Sequence, residues 1–290
     1  MTARTFALRA WRRPPWAPPA SGGPYWSALL LRAIALGYVG LFVVLPLVAL
    51  CGRAFAPGPA AIWASLRQPE ALFSLWLTVR LAAIMIVINT VMGTLTAWVL
   101  VRHTFPGRGF VNALIDLPFA IPTIVTGLML VILYGPQGAI GTFLNAHGIE
   151  VIYAKPGIVL ALLFVTLPFV VRAVQPVLME LDLDMEEAAA TLGASRWTVF
   201  RRVLLPSLLP AILTGAALSF SRALGEFGSV IMVAGNIPLR TQTAPVYIYG
   251  EIESDNPAGA LAVSVALLAG SLAVLVALHL LQRLGRRRDG

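Results

Sequence analysis

The sequence predicts an all-α integral membrane protein with six transmembrane helices, and three observations carry that prediction. Of 290 residues, 58% are hydrophobic and 12% charged, against about 45–50% and about 25% in a soluble domain. That is more apolar surface than one aqueous core can bury. Six apolar segments, roughly 28–51, 73–101, 113–134, 157–178, 208–234 and 258–282, reach the about 20 residues a helix needs to cross a bilayer core of about 30 Å. The net charge of +8 is spread beside these segments rather than gathered in one patch, which points to membrane orientation and not to nucleic acid.

Single-residue counts exclude much chemistry. The lone cysteine, Cys51, permits no disulfide framework or thiolate cluster within the chain. His103, His147 and His279 have no metal-ligand spacing. Lys155, the one lysine, is followed by Pro156, so a phosphate-cradling G-x-x-x-x-G-K-[ST] loop cannot form. The chain therefore has no catalytic site, metal or cofactor of its own in this reading. If ATP is used, another chain uses it.

Residues 1–27 hold Arg4, Arg9, Arg12 and Arg13 among five prolines. They read as a disordered cytoplasmic tail. The apolar run that follows is too long for a cleaved signal peptide and lacks its small-residue cleavage site. With the N-terminus inside, Arg102, Arg108, Arg196, Arg201, Arg202 and the basic tail 283–290 fall in the cytoplasm. The outer loops then hold Arg53 and Arg67 with Glu70, Lys155 with Glu150, and Arg240 with Glu251, Glu253 and Asp255.

Breaks are expected inside the spans. Pro118, Pro122 and Thr123 interrupt the third, Pro168 the fourth, and Gly215, Gly225, Gly228 and Gly235 thin the fifth. Such residues serve either a pathway or plain close packing. Asp116, Arg172, Arg222 and Glu226 lie within or near the spans. Each would cost about 2.5–3.5 kcal/mol at the bilayer centre, so each should face protein or water. Arg222 and Glu226 are one turn apart and can pair, either to brace a helix contact or to serve an anion path.

Between the fourth and fifth spans lies a charged, helix-forming island, Glu186 to Pro206. Asp184 is expected to cap a first helix, with Glu187 closing a capping box, and Ala188, Ala189 and Ala190 filling its turns. Gly193 should end it in a left-handed cap. Ser195 should cap a second helix carrying Trp197, Phe200 and Leu204 on one face, until Pro206 and Pro210 interrupt it. Two short helices joined at a glycine make a rigid knob. An interfacial amphipathic helix pair is the other reading.

The spacing Glu187-Ala188-Ala189, Gly193, Leu205-Pro206 resembles the EAA loop of permease subunits in binding-protein-dependent ABC importers. In that family the loop is the cytoplasmic coupling helix, seated in a cleft of the ATPase. Residues 73–282 look like the type I importer transmembrane domain, the MetI-like fold of the maltose, methionine and molybdate permeases. More narrowly, Asp116-Leu-Pro-Phe-Ala-Ile-Pro-Thr123, Pro168-Phe-Val-Val-Arg172, Val174-Gln-Pro-Val177, Ser219-Phe-Ser-Arg-Ala-Leu-Gly-Glu-Phe-Gly228, Ala234-Gly-Asn236 and Arg240-Thr241 resemble the sulfate/thiosulfate permeases of the CysT (CysU) type. Molybdate and tungstate permeases carry a string like Arg-Ala-x-Gly-Glu-Phe-Gly. The first helix and Arg172-Ala-Val-Gln-Pro176 favour the sulfate branch.

The resemblance implies an inner-membrane importer. This permease would pair with a CysW-type sister, two CysA-type ATPase subunits and a periplasmic sulfate-binding protein. The loop 179–206 would contact the ATPase through Glu187, Ala188, Ala189, Gly193, Ala194, Arg196, Trp197, Phe200 and Pro206. Trp197 and Phe200 are expected as exposed anchors there, with membrane-surface anchoring the alternative for Trp197. Arg222, Glu226, Thr123 and Arg172 are the candidate anion pathway. A gradient-driven secondary anion transporter would explain six spans and intramembrane charges, but not a glycine-broken cytoplasmic knob.

Overall fold

The computed structural model describes residues 25–286, so most of the expected N-terminal tail and the last four residues of the C-terminal one lie outside the described residues. The chain forms two compact units divided after Cys51. A π turn, Gly40–Val44, joins α1 (Tyr25–Val39) to α2 (Leu45–Phe55), which begins in the first unit and runs past the division. The span Ala28–Phe55 has a mean hydropathy of 2.5 over its most apolar window. Helix begins at Tyr25, inside what the sequence suggested was tail.

The second unit is a helical bundle. Its elements are α3 (Pro59–Leu66), α4 (Pro69–Arg102), α5 (Arg108–Ala120), α6 (Thr123–Tyr134), α7 (Ala139–Ala146) and α8 (Lys155–Glu180). They are followed by α9 (Leu183–Thr191), α10 (Arg196–Val199), α11 (Leu205–Leu224), α12 (Gly228–Ala234), α13 (Ala244–Glu253) and α14 (Pro257–Arg286). The helix α8 is the axis. It packs against α4 on one side and α11 on the other, and its 18-residue apolar window is 56% buried.

Because lipid tails are as apolar as these side chains, contacts between spans need close packing and polar ties. Val170, Val171, Val174 and Leu178 of α8 are buried with Ala97 and Leu100 of α4 and Leu208 and Ile212 of α11. At mid-span Thr166 Oγ1 donates to Leu162 O and accepts from Asn89 Nδ2 at 2.7 Å, while Ser219 Oγ donates to Thr166 O at 3.3 Å. One threonine thus ties all three helices.

Several expected interruptions fall elsewhere. Pro118 sits inside α5, and Pro168 and Pro176 sit inside α8, with both helices running on past them. The third segment breaks instead at Ile121-Pro122, and α5 and α6 meet at 113°, so it is a bent pair and not one straight span. Ile121 is extended at φ −88°, ψ 128°, the conformation a following proline imposes. The fifth segment ends at Leu224 rather than running to 234. Gly225 closes it and α12 starts afresh at Gly228.

Two π turns have one cause. Gly40–Val44 and Phe200–Leu204 are each followed directly by Leu-Pro, at Pro46 and Pro206. A proline has no N–H for the carbonyl four residues back, and its ring crowds that carbonyl. In the wider turn the preceding leucine bonds five residues back, Leu45 N–H to Gly40 O and Leu205 N–H to Phe200 O, and the helix continues.

Candidate coupling knob and polar pathway

The knob forms between α8 and α11, and its first helix starts earlier than the sequence suggested. Asp182, not Asp184, is the N-cap. Its carboxylate accepts from the Asp184 N–H at 3.1 Å. The expected capping box is therefore displaced, and Glu187 stands exposed in the second turn. With Asp182 supplying the cap, an acidic side chain at Asp184 is left to complement the positive helix end.

Gly193 ends α9 as expected. Its φ is +82°, its N–H donates to Ala190 O at 2.9 Å, and the Ala194 N–H donates to Ala189 O at 3.1 Å. That bond pair is a Schellman motif with glycine at its left-handed position. Ser195 then caps the next helix, its Oγ accepting from the Thr198 N–H at 3.2 Å. This second helix does not stop at Pro206 or Pro210. Through the π turn it becomes the span Arg196–Leu224.

The aromatic pair differs in exposure, although the two rings stack with centroids 5.7 Å apart. Trp197 is 67% exposed. Phe200 is half-buried and stacks on Trp98 of α4, ring centroids 5.3 Å apart, so it is not an exposed anchor. Phe200 opens the π turn and packs in the cluster that holds Leu204 and Leu208. Arg196, Glu187 and Ala188 are exposed, and Ala189 and Ala194 are partly covered. A cleft of about 470 Å³ between the end of α4 and the knob is lined by Arg102, Glu186, Glu187, Arg196 and others. Arg102 Nη2 meets Glu186 Oε1 at 2.6 Å there, with both side chains mostly covered. Sequence reasoning missed this pair, which joins residues far apart in the chain.

The two intramembrane arginines differ. Arg172 directs all five N–H groups into the protein. Nε and Nη2 hold the Asp116 carboxylate at 2.6 and 2.5 Å. Nη1 reaches Asn112 Oδ1 and Gln175 Oε1, and Nη2 also reaches Asn112 O. This fork-on-carboxylate geometry locks α5 to α8.

Arg222 is 35% exposed in its side chain and meets Glu226 Oε2 at 2.7 Å, while the Glu226 side chain is 1% exposed. Glu226 Oε1 accepts from both the N–H and the Oγ of Ser229, at 2.9 and 2.8 Å. The carboxylate is thus fixed across the Gly225–Phe227 break. The two breaks in the bundle also touch, since a Cβ on Gly228 would collide with Thr123 Oγ1 and the Ile124 nitrogen. Thr123, Arg222 and Glu226 therefore gather at the two breaks, and Arg172 belongs to a separate cluster.

At the opposite end of α4 a polar cleft of about 290 Å³ is lined by Glu70, Asn236, Gln242, Tyr247, Glu251 and Glu253 among others. Burial, with Glu251 and Glu70 nearby, pushes the Tyr247 phenol up to about 12. Tyr247 stays neutral across the physiological range and its OH donates to Gln68 Oε1 at 3.3 Å.

A span bundle with a rigid, glycine-turned knob between two of its helices and paired breaks at mid-span defines a membrane transport component. The family model for "Binding-protein-dependent transport system inner membrane component" matches residues 89–287. The chain belongs to this family of binding-protein-dependent transport permeases. It is 44% identical over 253 residues to a "Probable sulfate transport system permease protein cysT" of Chlorokybus atmophyticus, covering 87% of this chain and 88% of that one. To the "Sulfate transport system permease protein CysT" of Escherichia coli (strain K12) it is 43% identical over 257 residues, covering 88% and 93%. The fold is that of the type I ABC importer permeases. A bacterial ABC transporter involved in the import of alginate superposes with a TM-score of 0.74 at 17% identity, covering 89% of this chain and 95% of that one. The MetNI methionine transporter in an inward-facing form gives 0.57 at 20% identity, covering 75% and 99%.

Proposed function

We propose that this chain is the transmembrane permease subunit of an ATP-driven importer carrying sulfate or thiosulfate across the bacterial inner membrane, both termini cytoplasmic. The observation that carries the reading is the α9–Gly193–α10 knob, held at one end of the bundle, in a chain 43% identical to a sulfate permease over 88% of its length. ATP and Mg²⁺ are bound by CysA-type ATPase subunits. A CysW-type permease completes the membrane part, and a periplasmic sulfate-binding protein delivers the anion. Closure of the ATPase dimer moves the knobs, and the permeases exchange inward-facing for outward-facing states, each favoured by a different bound partner.

Glu187, Ala188, Ala189, Gly193, Ala194, Arg196 and Trp197 form the ATPase contact, with Trp197 its aromatic anchor. Phe200 and Pro206 shape the knob from behind. Arg222, and Thr123 where it meets Gly228 at the breaks, face the anion path. The planar fork of Arg222 suits a tetrahedral oxyanion, and Glu226 recaptures the arginine after passage. Arg172 braces the bundle, because its five donors already have partners.

The test is reconstitution of the chain with its sister permease, ATPase and binding protein in proteoliposomes. Labelled sulfate uptake should require ATP and should yield to excess unlabelled sulfate or thiosulfate. Displacement by molybdate alone would move the substrate to molybdate. Uptake without the ATPase would make the protein a gradient-driven transporter.

A further inference from the structure

The helix α9 is weakly held. No described residue in it is buried, and it hangs from α8 by Leu181, extended at φ −70°, ψ 124°, and the cap residue Asp182. Its side-chain tie to the spanning helices, among the described residues, is the Arg102–Glu186 ion pair at 2.6 Å. Arg102 Nη2 also reaches Leu181 O, at 3.5 Å, on the other side of the cap. One turn earlier on the same face of α4, Trp98 stacks on Phe200 of the second knob helix. The last turns of α4 therefore grip both halves of the knob, the first by charge and the second by an aromatic stack. Toward its other end α4 is tied to α13, where Thr78 Oγ1 accepts from the Ala244 N–H at 2.8 Å. With 34 residues, α4 is about 50 Å long, long enough to join the knob end of the bundle to the polar cleft at the other end.

We infer that Arg102 is a positioning residue that makes α4 the lever of the knob. Through Glu186 it converts displacement of α9 into displacement of α4. Without the pair α9 pivots at Leu181–Asp182, and motion of the knob is lost before it reaches the spans. The family's motif glutamate, Glu187, is exposed and outside this tie, so the lever and the ATPase contact use neighbouring but different carboxylates. The charge pair suits the task because its partners are mostly covered, which keeps the interaction from being screened.

The inference rests on the importer reading, and the two fail differently. In proteoliposomes holding the whole complex, labelled sulfate uptake and ATP hydrolysis are measured together. If the wild-type complex shows no ATP-dependent uptake, it is the importer reading that falls, and the lever falls with it. If the wild-type complex transports, Arg102→Met should retain the ATPase subunit and hydrolyse ATP, yet lower uptake per ATP about tenfold. The exchanged pair Arg102→Glu with Glu186→Arg should restore the ratio to within about twofold. A merely structural role would lower the amount of complex and leave that ratio unchanged. Should Arg102→Met fail to assemble, Glu186→Gln keeps the side-chain shape and should show the same fall. A wild-type ratio in whichever of these single variants assembles overturns the inference, as does an exchanged pair that assembles normally and stays uncoupled.

Discussion

Arg222 reaches Glu226 at 2.7 Å from a partly exposed position, whereas the carboxylate it meets is buried and held a second time by Ser229. The pair is therefore asymmetric. Glu226 is anchored at the break by two donors of Ser229 besides Arg222, and Arg222 is the more exposed member.

That asymmetry sets the first prediction. Arg222→Lys keeps the charge and loses the fork, and should cut anion uptake about tenfold at normal membrane levels. Arg222→Met alone should also lower the protein level, because it leaves a buried carboxylate uncompensated. Arg222→Met with Glu226→Gln should restore the level but not the uptake. Wild-type uptake in that double variant would make the pair a brace and move the path elsewhere.

Gly193 tests the knob. A side chain there meets open space, so the penalty is the backbone's own, about 1–2 kcal/mol for a left-handed β-carbon residue. Gly193→Arg should cut ATP-driven uptake about tenfold while the protein still inserts. Gly193→Asn should keep much of it, since asparagine tolerates this conformation. Equal transport by both variants at wild-type rate would remove the turn from coupling.

Trp197 and Phe200 should separate under alanine substitution. Trp197→Ala should weaken retention of the ATPase in detergent-purified complex and lower the chain's own stability only slightly, through the lost stack on Phe200. Phe200→Ala removes a side chain stacked on Trp98 and should destabilise the chain by about 2–3 kcal/mol, short of the fully buried case because Phe200 is half-buried. Thermal unfolding and subunit stoichiometry measured together decide it. Full ATPase retention without Trp197 would make that residue a membrane-surface anchor.

Gly228 tests the meeting of the breaks. Gly228→Ala drives a methyl group into Thr123 Oγ1 and should lower uptake. Adding Thr123→Ala removes that oxygen and should recover part of the loss. No loss in the single variant would mean that the two breaks are free to part.

For Arg172, Asp116→Asn removes one charge of a bidentate pair. It should lower the chain's stability by roughly 1.5–3 kcal/mol, the range for a hydrogen bond to a charged group. Uptake per assembled complex should be unaffected. A fall in uptake at full stability would return Arg172 to the anion path.

By itself the sequence determined the membrane class, the apolar segments, the knob and its glycine turn, and the Arg222–Glu226 pairing. Each of these rests on local chemistry: hydropathy over about 20 residues, a φ that favours glycine, or a spacing of one helical turn. Some local signals still misled. Asp184 matched a capping pattern although Asp182 is the cap, and Pro118, Pro168 and Pro206 matched helix breakers although the helix runs on past each of them, whereas Pro122 does mark a break. A proline inside a membrane span is tolerated when a π turn or neighbouring helices re-satisfy the backbone, and the local sequence does not say which will. The tertiary structure alone decided that Arg172 is fully partnered across 56–60 residues of chain by Asp116 and Asn112, that Phe200 turns inward to Trp98, and that Arg102 holds Glu186. Those pairings depend on which faces of α4, α5 and α8 meet. That is set by packing among many apolar side chains of nearly equal hydropathy, and no single stretch of sequence encodes it.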